Sequence, residues 1–250
     1  RMPVSVSHIY NSAIIGEDRY YAQFYTDEMQ SGKGWKLNVQ EKITGLEAAG
    51  NKTYTQGEKL YSYVDATGAK RYFAFVSRDS NTHEVTMKDT DGLGLTLVYG
   101  FNFGENIYYK LSDSDGNVKY FDLFGYIVRE EEKNGTAVEY AYTGGQYVDK
   151  CITSVTDMYG TTSIEYNPDR TVKSVTDRFG NTKNYTYDAN GNLTGVSDSK
   201  GTLVTYSYSG TKLVSVVDEQ NNIKVTFSYS GSRIVGAEVF DTSSDTEFKT

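Results

Sequence analysis

Aromatic residues recur two apart with one small or polar residue between them: Tyr140-Ala-Tyr142, Tyr185-Thr-Tyr187, Tyr206-Ser-Tyr208 and Phe227-Ser-Tyr229. Alternate residues of an extended chain share a face, so each triplet predicts a strand that carries two rings on one side. Ahead of these strands stand Asp157-Met-Tyr-Gly160 (leading to Tyr166), Asp177-Arg-Phe-Gly180, Asp198-Ser-Lys-Gly201 and Asp218-Glu-Gln-Asn221. Asp188-Ala-Asn-Gly191 follows the second of them. Asp and Asn bond back to their own backbone and Gly accepts positive φ, so these are turns. Each unit closes on an apolar pair three apart, as in Leu193 and Val196 or Leu213 and Val216. An ideal strand would place such a pair on opposite faces, which predicts a twist or bulge there.

The leading aspartates, Asp157, Asp177, Asp198 and Asp218, fall about every 20 residues, room for two turns and two short strands. At these residues the chain resembles the YD-repeat, or RHS-repeat, family, whose frame is Asp-x-x-Gly…Tyr-x-Tyr-Asp-x-x-Gly-x-Leu. Tyr187-Asp188-Ala-Asn-Gly191-Asn-Leu193 matches it fully; Tyr208 and Tyr229 are followed by Ser, Tyr166 by Asn, and Asn221 replaces the turn glycine of the last copy. The resemblance implies an all-β fold of tandem antiparallel hairpins in one long, twisted or curling sheet. It also implies a wall that encloses or presents a C-terminal toxic or adhesive module, in a protein that is extracellular or on a bacterial cell surface.

Earlier in the chain the same grammar is present in weaker form. Residues 3–10 and 35–39 alternate apolar with polar, Tyr20–Tyr25 reads similarly, and residues 44–50 offer one turn of helix at most. Gly32-Lys-Gly34 is a turn ahead of Trp35, the single tryptophan and an expected core anchor. Tyr61-Ser-Tyr63 with Asp65-Ala-Thr-Gly68 looks like a diverged unit, and Val85–Lys88 and Leu93–Tyr99 flank a turn at Asp89-Thr-Asp-Gly92. Asp113-Ser-Asp-Gly116 leads into Phe121-Asp-Leu-Phe-Gly125, where the array begins, and an insertion at Gly144-Gly145-Gln146 lengthens the next copy. The expected division is a β-rich lead-in over 1–105, an array over 106–240 and a polar, frayed tail over 241–250. The chain is expected to be a fragment that works with the remainder of its own longer chain, and the outer strand Arg233–Phe240 is expected to leave an open edge.

Composition narrows the chemistry. The net charge is −8 and the basic residues are scattered, which sets nucleic acid aside as a partner; no apolar run is long enough for a transmembrane segment. One cysteine, Cys151, and two histidines, His8 and His83, leave no plausible zinc set or His-based nucleophile. No cofactor and no catalytic or metal residue is therefore expected. Calcium is the one cation raised, through Asp113-Ser-Asp115-Gly116-Asn117 and Asp89-Thr-Asp91-Gly92, although neither carries the distal Glu of a full calcium loop. Carboxylates are numerous enough for a glycosidase pair, but many occupy recurrent turn positions.

Tyr140, Tyr142, Tyr166, Tyr185, Tyr187, Tyr206, Tyr208, Phe227 and Tyr229 form either a stabilising ladder, ring upon ring along the sheet, or a face for glycans. The leading expectation is a non-catalytic structural segment. The alternative is a carbohydrate-binding module.

Overall fold

The computed structural model describes residues 4–12, 31–46, 54–100, 103–104, 106–143, 150–243 and 247–248. The expected strand over Tyr20–Tyr25, the insertion at Gly144-Gly145-Gln146 and residues 47–50 of the expected helical turn lie outside them. No α-helix occurs among the described residues. The strands are β1 (His8–Tyr10), β2 (Trp35–Leu37), β3 (Lys42–Gly45), β4 (Lys59–Val64), β5 (Lys70–Arg78), β6 (Val85–Asp89), β7 (Thr96–Tyr99), β8 (Tyr109–Ser112), β9 (Val118–Phe121), β10 (Ile127–Glu131), β11 (Ala137–Thr143) and β12 (Cys151–Asp157). They continue as β13 (Gly160–Tyr166), β14 (Val172–Thr176), β15 (Thr182–Tyr187), β16 (Leu193–Asp198), β17 (Gly201–Ser209), β18 (Lys212–Asp218), β19 (Ile223–Ser230), β20 (Arg233–Asp241) and β21 (Glu247–Phe248).

From β3 onward each strand neighbours the next in sequence, and the registers are antiparallel, so the fold is a run of consecutive hairpins. Two compact units divide the chain: residues 1–5 with 38–161, and residues 6–37 with 162–250.

In the first unit the core is Phe73, Met87, Leu97, Phe121 and Ile127, one or two from each of several strands. Strand β3 returns to this sheet at one point. Lys42 bridges Tyr126, and the Ile43 N–H donates to the Gly125 carbonyl at 2.8 Å. Gly125 is required there, because at its φ of +79° an added Cβ would lie 1.9 Å from the Ile43 oxygen.

In the second unit β14 to β21 form the sheet, and β1 pairs with β2 in a separate two-stranded ribbon. The closing strands carry the bulge that the apolar spacing implied. Thr186 pairs with Gly195 but Tyr187 with Leu193, so Thr194 is extra. The added residue turns Leu193 and Val196, three apart, to one face, where they are 0% and 3% exposed. The same slip skips Lys173 between Val172 and Val175, and Val214 in β18.

Two local expectations are corrected. The strand expected over residues 3–10 is confined to His8–Tyr10; the Val4 N–H instead donates to Asp157 Oδ2 at 2.7 Å, so that backbone group is met by a side chain rather than a ladder. Nor is residue 241 onward wholly a tail: Glu247 and Phe248 pair with Phe240 and Val239 and cover that part of the β20 edge.

Candidate functional site

The repeat turns are of two kinds. Where Asn stands fourth after Asp, the carboxylate is saturated by its own turn. Asp188 Oδ1 accepts the N–H groups of Asn190 (2.8 Å) and Asn192 (2.9 Å), and Oδ2 accepts the Asn192 side-chain amide (2.8 Å). Asp113 and Asp177 repeat this with Asn117 and Asn181. In Asp188 the backbone amide of Asn192, then its side-chain amide, hold the carboxyl below its ordinary pKa. Asp157 and Asp198 lack that Asn and begin the next strand at once: Asp198 pairs with Gly201 across a two-residue loop, and each Asp accepts the amide two residues on. Asp218 is intermediate, closing on Asn221. Gly116, Gly160, Gly180, Gly191 and Gly201 all have positive φ. Among Asp113, Asp157, Asp177, Asp188 and Asp198 the Asn, visible in the sequence, tells the two turns apart, whereas Asp65 and Asp122 form the longer turn without it, accepting the amides of Ala69 and Tyr126. Both oxygens of Asp113 are engaged, Oδ1 by the amides of Asp115 and Asn117 and Oδ2 by the Asn117 side chain.

The tyrosines of each pair have different tasks. The first, Tyr140, Tyr185 or Tyr206, is buried. The second is half-buried and donates its hydroxyl to a backbone carbonyl one unit back: Tyr142 to Ile127 (2.6 Å), Tyr187 to Val172 (2.9 Å), Tyr208 to Leu193 (2.7 Å) and Tyr229 to Leu213 (2.7 Å). Each acceptor is the residue just before the skipped residue of a bulge. The following strand begins its register only beyond it, at Gly195 rather than Leu193 in β16 and at Ser215 rather than Leu213 in β18. The bulge frees a carbonyl and the tyrosine of the next strand fills it. Burial raises the pKa of Tyr187, Tyr208 and Tyr229 above that of an ordinary phenol, so these three remain protonated donors, and it raises Tyr185 to about 12. Tyr166 and Phe227 stand half-buried at the matching positions of their own copies.

Ring-upon-ring stacking is not how the ladder is built in the second unit. Tyr185 and Tyr206 lie on alternate strands, β15 and β17, which places them about 10 Å apart, too far to stack. His8 fills the interval, edge-on to Tyr185 at 5.6 Å and to Tyr206 at 5.7 Å, with Nε2 hydrogen-bonded to the Tyr206 hydroxyl. Trp35 packs on Tyr206 at 4.8 Å and donates its indole N–H to the Tyr208 hydroxyl at 2.7 Å. Tyr10 meets Tyr229 at 3.4 Å and accepts the Leu213 N–H at 3.1 Å. The ribbon lies against the sheet where Gly32 approaches Leu193; a Cβ on Gly32 would lie 2.9 Å from the Leu193 nitrogen. Sequence reasoning identified Trp35 as an anchor but not His8 or Tyr10, because nothing local links residues 8–10 to residues near 206.

Two ionic clusters of the first unit centre on buried carboxylates, Glu41 and Asp122. Buried Glu41 accepts from Lys119 at 2.6 Å and from the Tyr63 hydroxyl; Lys119 also reaches Glu130 at 3.2 Å, and Tyr140 donates to Glu130 at 3.0 Å. Burial raises the Glu41 pKa against the pull of Lys119. Nearby, Lys150 pairs with Asp122 and lies 5.7 Å from the centre of the Tyr126 ring, whose face Lys42 also meets at 4.3 Å. Burial lowers the Lys42 pKa to about 7, opposed by the charge of Asp122.

Comparison with known proteins adds a family to the repeat. Residues 166–203 and 187–222 match the RHS Repeat family. No curated protein matches the chain. Among solved structures, the chain is similar to a Tc holotoxin pore of Photorhabdus luminescens (14% identity, 74% of this chain and 14% of that one, TM-score 0.31). It is also similar to the N-terminal domain of the effector protein SpvB from Salmonella typhimurium (10%, 95% and 94%, TM-score 0.41) and to a porin-like protein from Bacteroides uniformis (9%, 80% and 94%, TM-score 0.34). The chain spans about one seventh of the length of the toxin chain it matches.

Proposed function

Residues 166–222 carry RHS repeats, and from that premise we propose that the chain is a non-catalytic structural segment of a secreted or cell-surface bacterial RHS-type protein, building part of a β-sheet wall that encloses or presents a C-terminal toxic or adhesive module. One observation carries the reading: the repeat-defining groups are used internally. Four tyrosine hydroxyls are bonded to bulge carbonyls, and the best-formed turn carboxylates are bonded to their own amides. What repetition produces in this chain is a wall, with each hairpin positioning the next.

The partner on this reading is the remainder of a longer chain. Expressing the complete reading frame and digesting it briefly tests this: the repeat region and the segment it encloses should resist protease together, and opening the wall with denaturant should release both. A following module cut freely while the repeats stay intact would remove the enclosing role. The carbohydrate-binding alternative needs hydroxyls and ring faces turned to solvent, and the four engaged hydroxyls weigh against it. A glycan array on the intact chain decides that point.

A further inference from the structure

The β1–β2 ribbon is two three-residue strands, joined to the sheet of the second unit by partners more than 170 residues away in sequence. We propose that it is an acid-released clasp: neutral His8 fastens the ribbon over the aromatic face of β15 to β19, and protonation of His8 detaches it, baring the rings of Tyr185, Tyr206, Tyr208 and Tyr229.

The geometry explains why His8 has this role. Its ring is wedged between Tyr185 and Tyr206, with Trp35 of its own ribbon 5.0 Å away. The charged group acting on it is Lys183, on the same strand as Tyr185. Tyr185 and Tyr206 are neutral phenols, so among the described residues an imidazolium here would meet a lysine and aromatic rings and gain no anionic partner. Burial, then Lys183, lowers the His8 pKa to about 4. An exposed histidine titrates near 6.5. Between those values the detached ribbon binds the proton that the docked one refuses. Docking is therefore at full strength above about pH 6.5 and weakens as pH falls toward 4, by about 300-fold in equilibrium constant across the interval. The contacts of Trp35 to Tyr208 and Tyr10 to Leu213 involve groups that do not titrate in this range, whereas an imidazole does.

Trp35 is the sole tryptophan and sits in the contact, so its fluorescence reports docking in the whole protein. Wild-type emission should shift to the red between pH 6.5 and 4 while the strand signal in far-ultraviolet circular dichroism persists, and the Leu213 amide should lose hydrogen-exchange protection over the same interval. His8→Gln, which cannot take up the proton, should flatten both responses. Lys183→Gln, an exposed substitution, should reduce the amplitude by letting the docked imidazole accept a proton more readily. The proposal is overturned by emission that stays constant to pH 4, by strand signal lost together with the emission shift, or by a response that neither substitution alters.

Discussion

The Tyr208 hydroxyl donates to the Leu193 carbonyl, 15 residues back, at 2.7 Å. Leu193 stands where the β16 register skips Thr194, so its carbonyl has no partner on β17, and the tyrosine at the far end of β17 supplies one. Bulge and tyrosine therefore act as one device, and the same pairing recurs from Ile127 to Tyr229.

Removing that hydroxyl separates its two duties. Tyr187→Phe abandons only the Val172 carbonyl and should cost about 1 kcal/mol, whereas Tyr208→Phe also strands the Trp35 indole N–H and should cost about 2–3 kcal/mol. Urea midpoints for the two variants check the order. Equal losses would mean that the indole bond contributes nothing.

Deleting Thr194 tests the bulge itself. With plain alternation restored, Leu193 and Val196 can no longer share a face, and one of them leaves the core. The loss should reach about 1.5–3 kcal/mol for the expelled side chain. Replacing Thr194 by Ser keeps the extra residue and should change the thermal midpoint little.

Glycines at positive φ should divide into two classes. Gly180 has open space around it, so Gly180→Ala meets only the left-handed backbone and should cost about 1–2 kcal/mol. Gly125→Ala also drives a methyl into the Ile43 oxygen and should be far more damaging. Thermal unfolding of the two variants side by side measures the gap.

The Glu41–Lys119–Glu130 cluster gives a charge prediction. Lys119→Met leaves two neighbouring carboxylates without their common cation and should cost about 3 kcal/mol or more. Adding Glu41→Gln removes the buried charge yet keeps an acceptor for Tyr63, so the double variant should recover a large part of the loss. A double-mutant cycle in denaturant reads the coupling.

The sequence by itself determined the hairpins: residues two apart on a strand share a face whatever surrounds them, and Asp-x-x-Gly closes on its own amides. It also determined the bulges, since Leu193 and Val196 can both be buried only if one residue is skipped. Tertiary structure decided what the tyrosines touch. Rings on alternate strands stand too far apart to meet, and which segment enters the gap depends on chain far away. His8, Tyr10 and Trp35 come from the opposite end of the chain, and no periodicity, turn or spacing near residue 206 encodes their arrival. The tyrosine hydroxyls were likewise open to solvent, glycan or backbone until the fold brought each to a carbonyl that a bulge had freed.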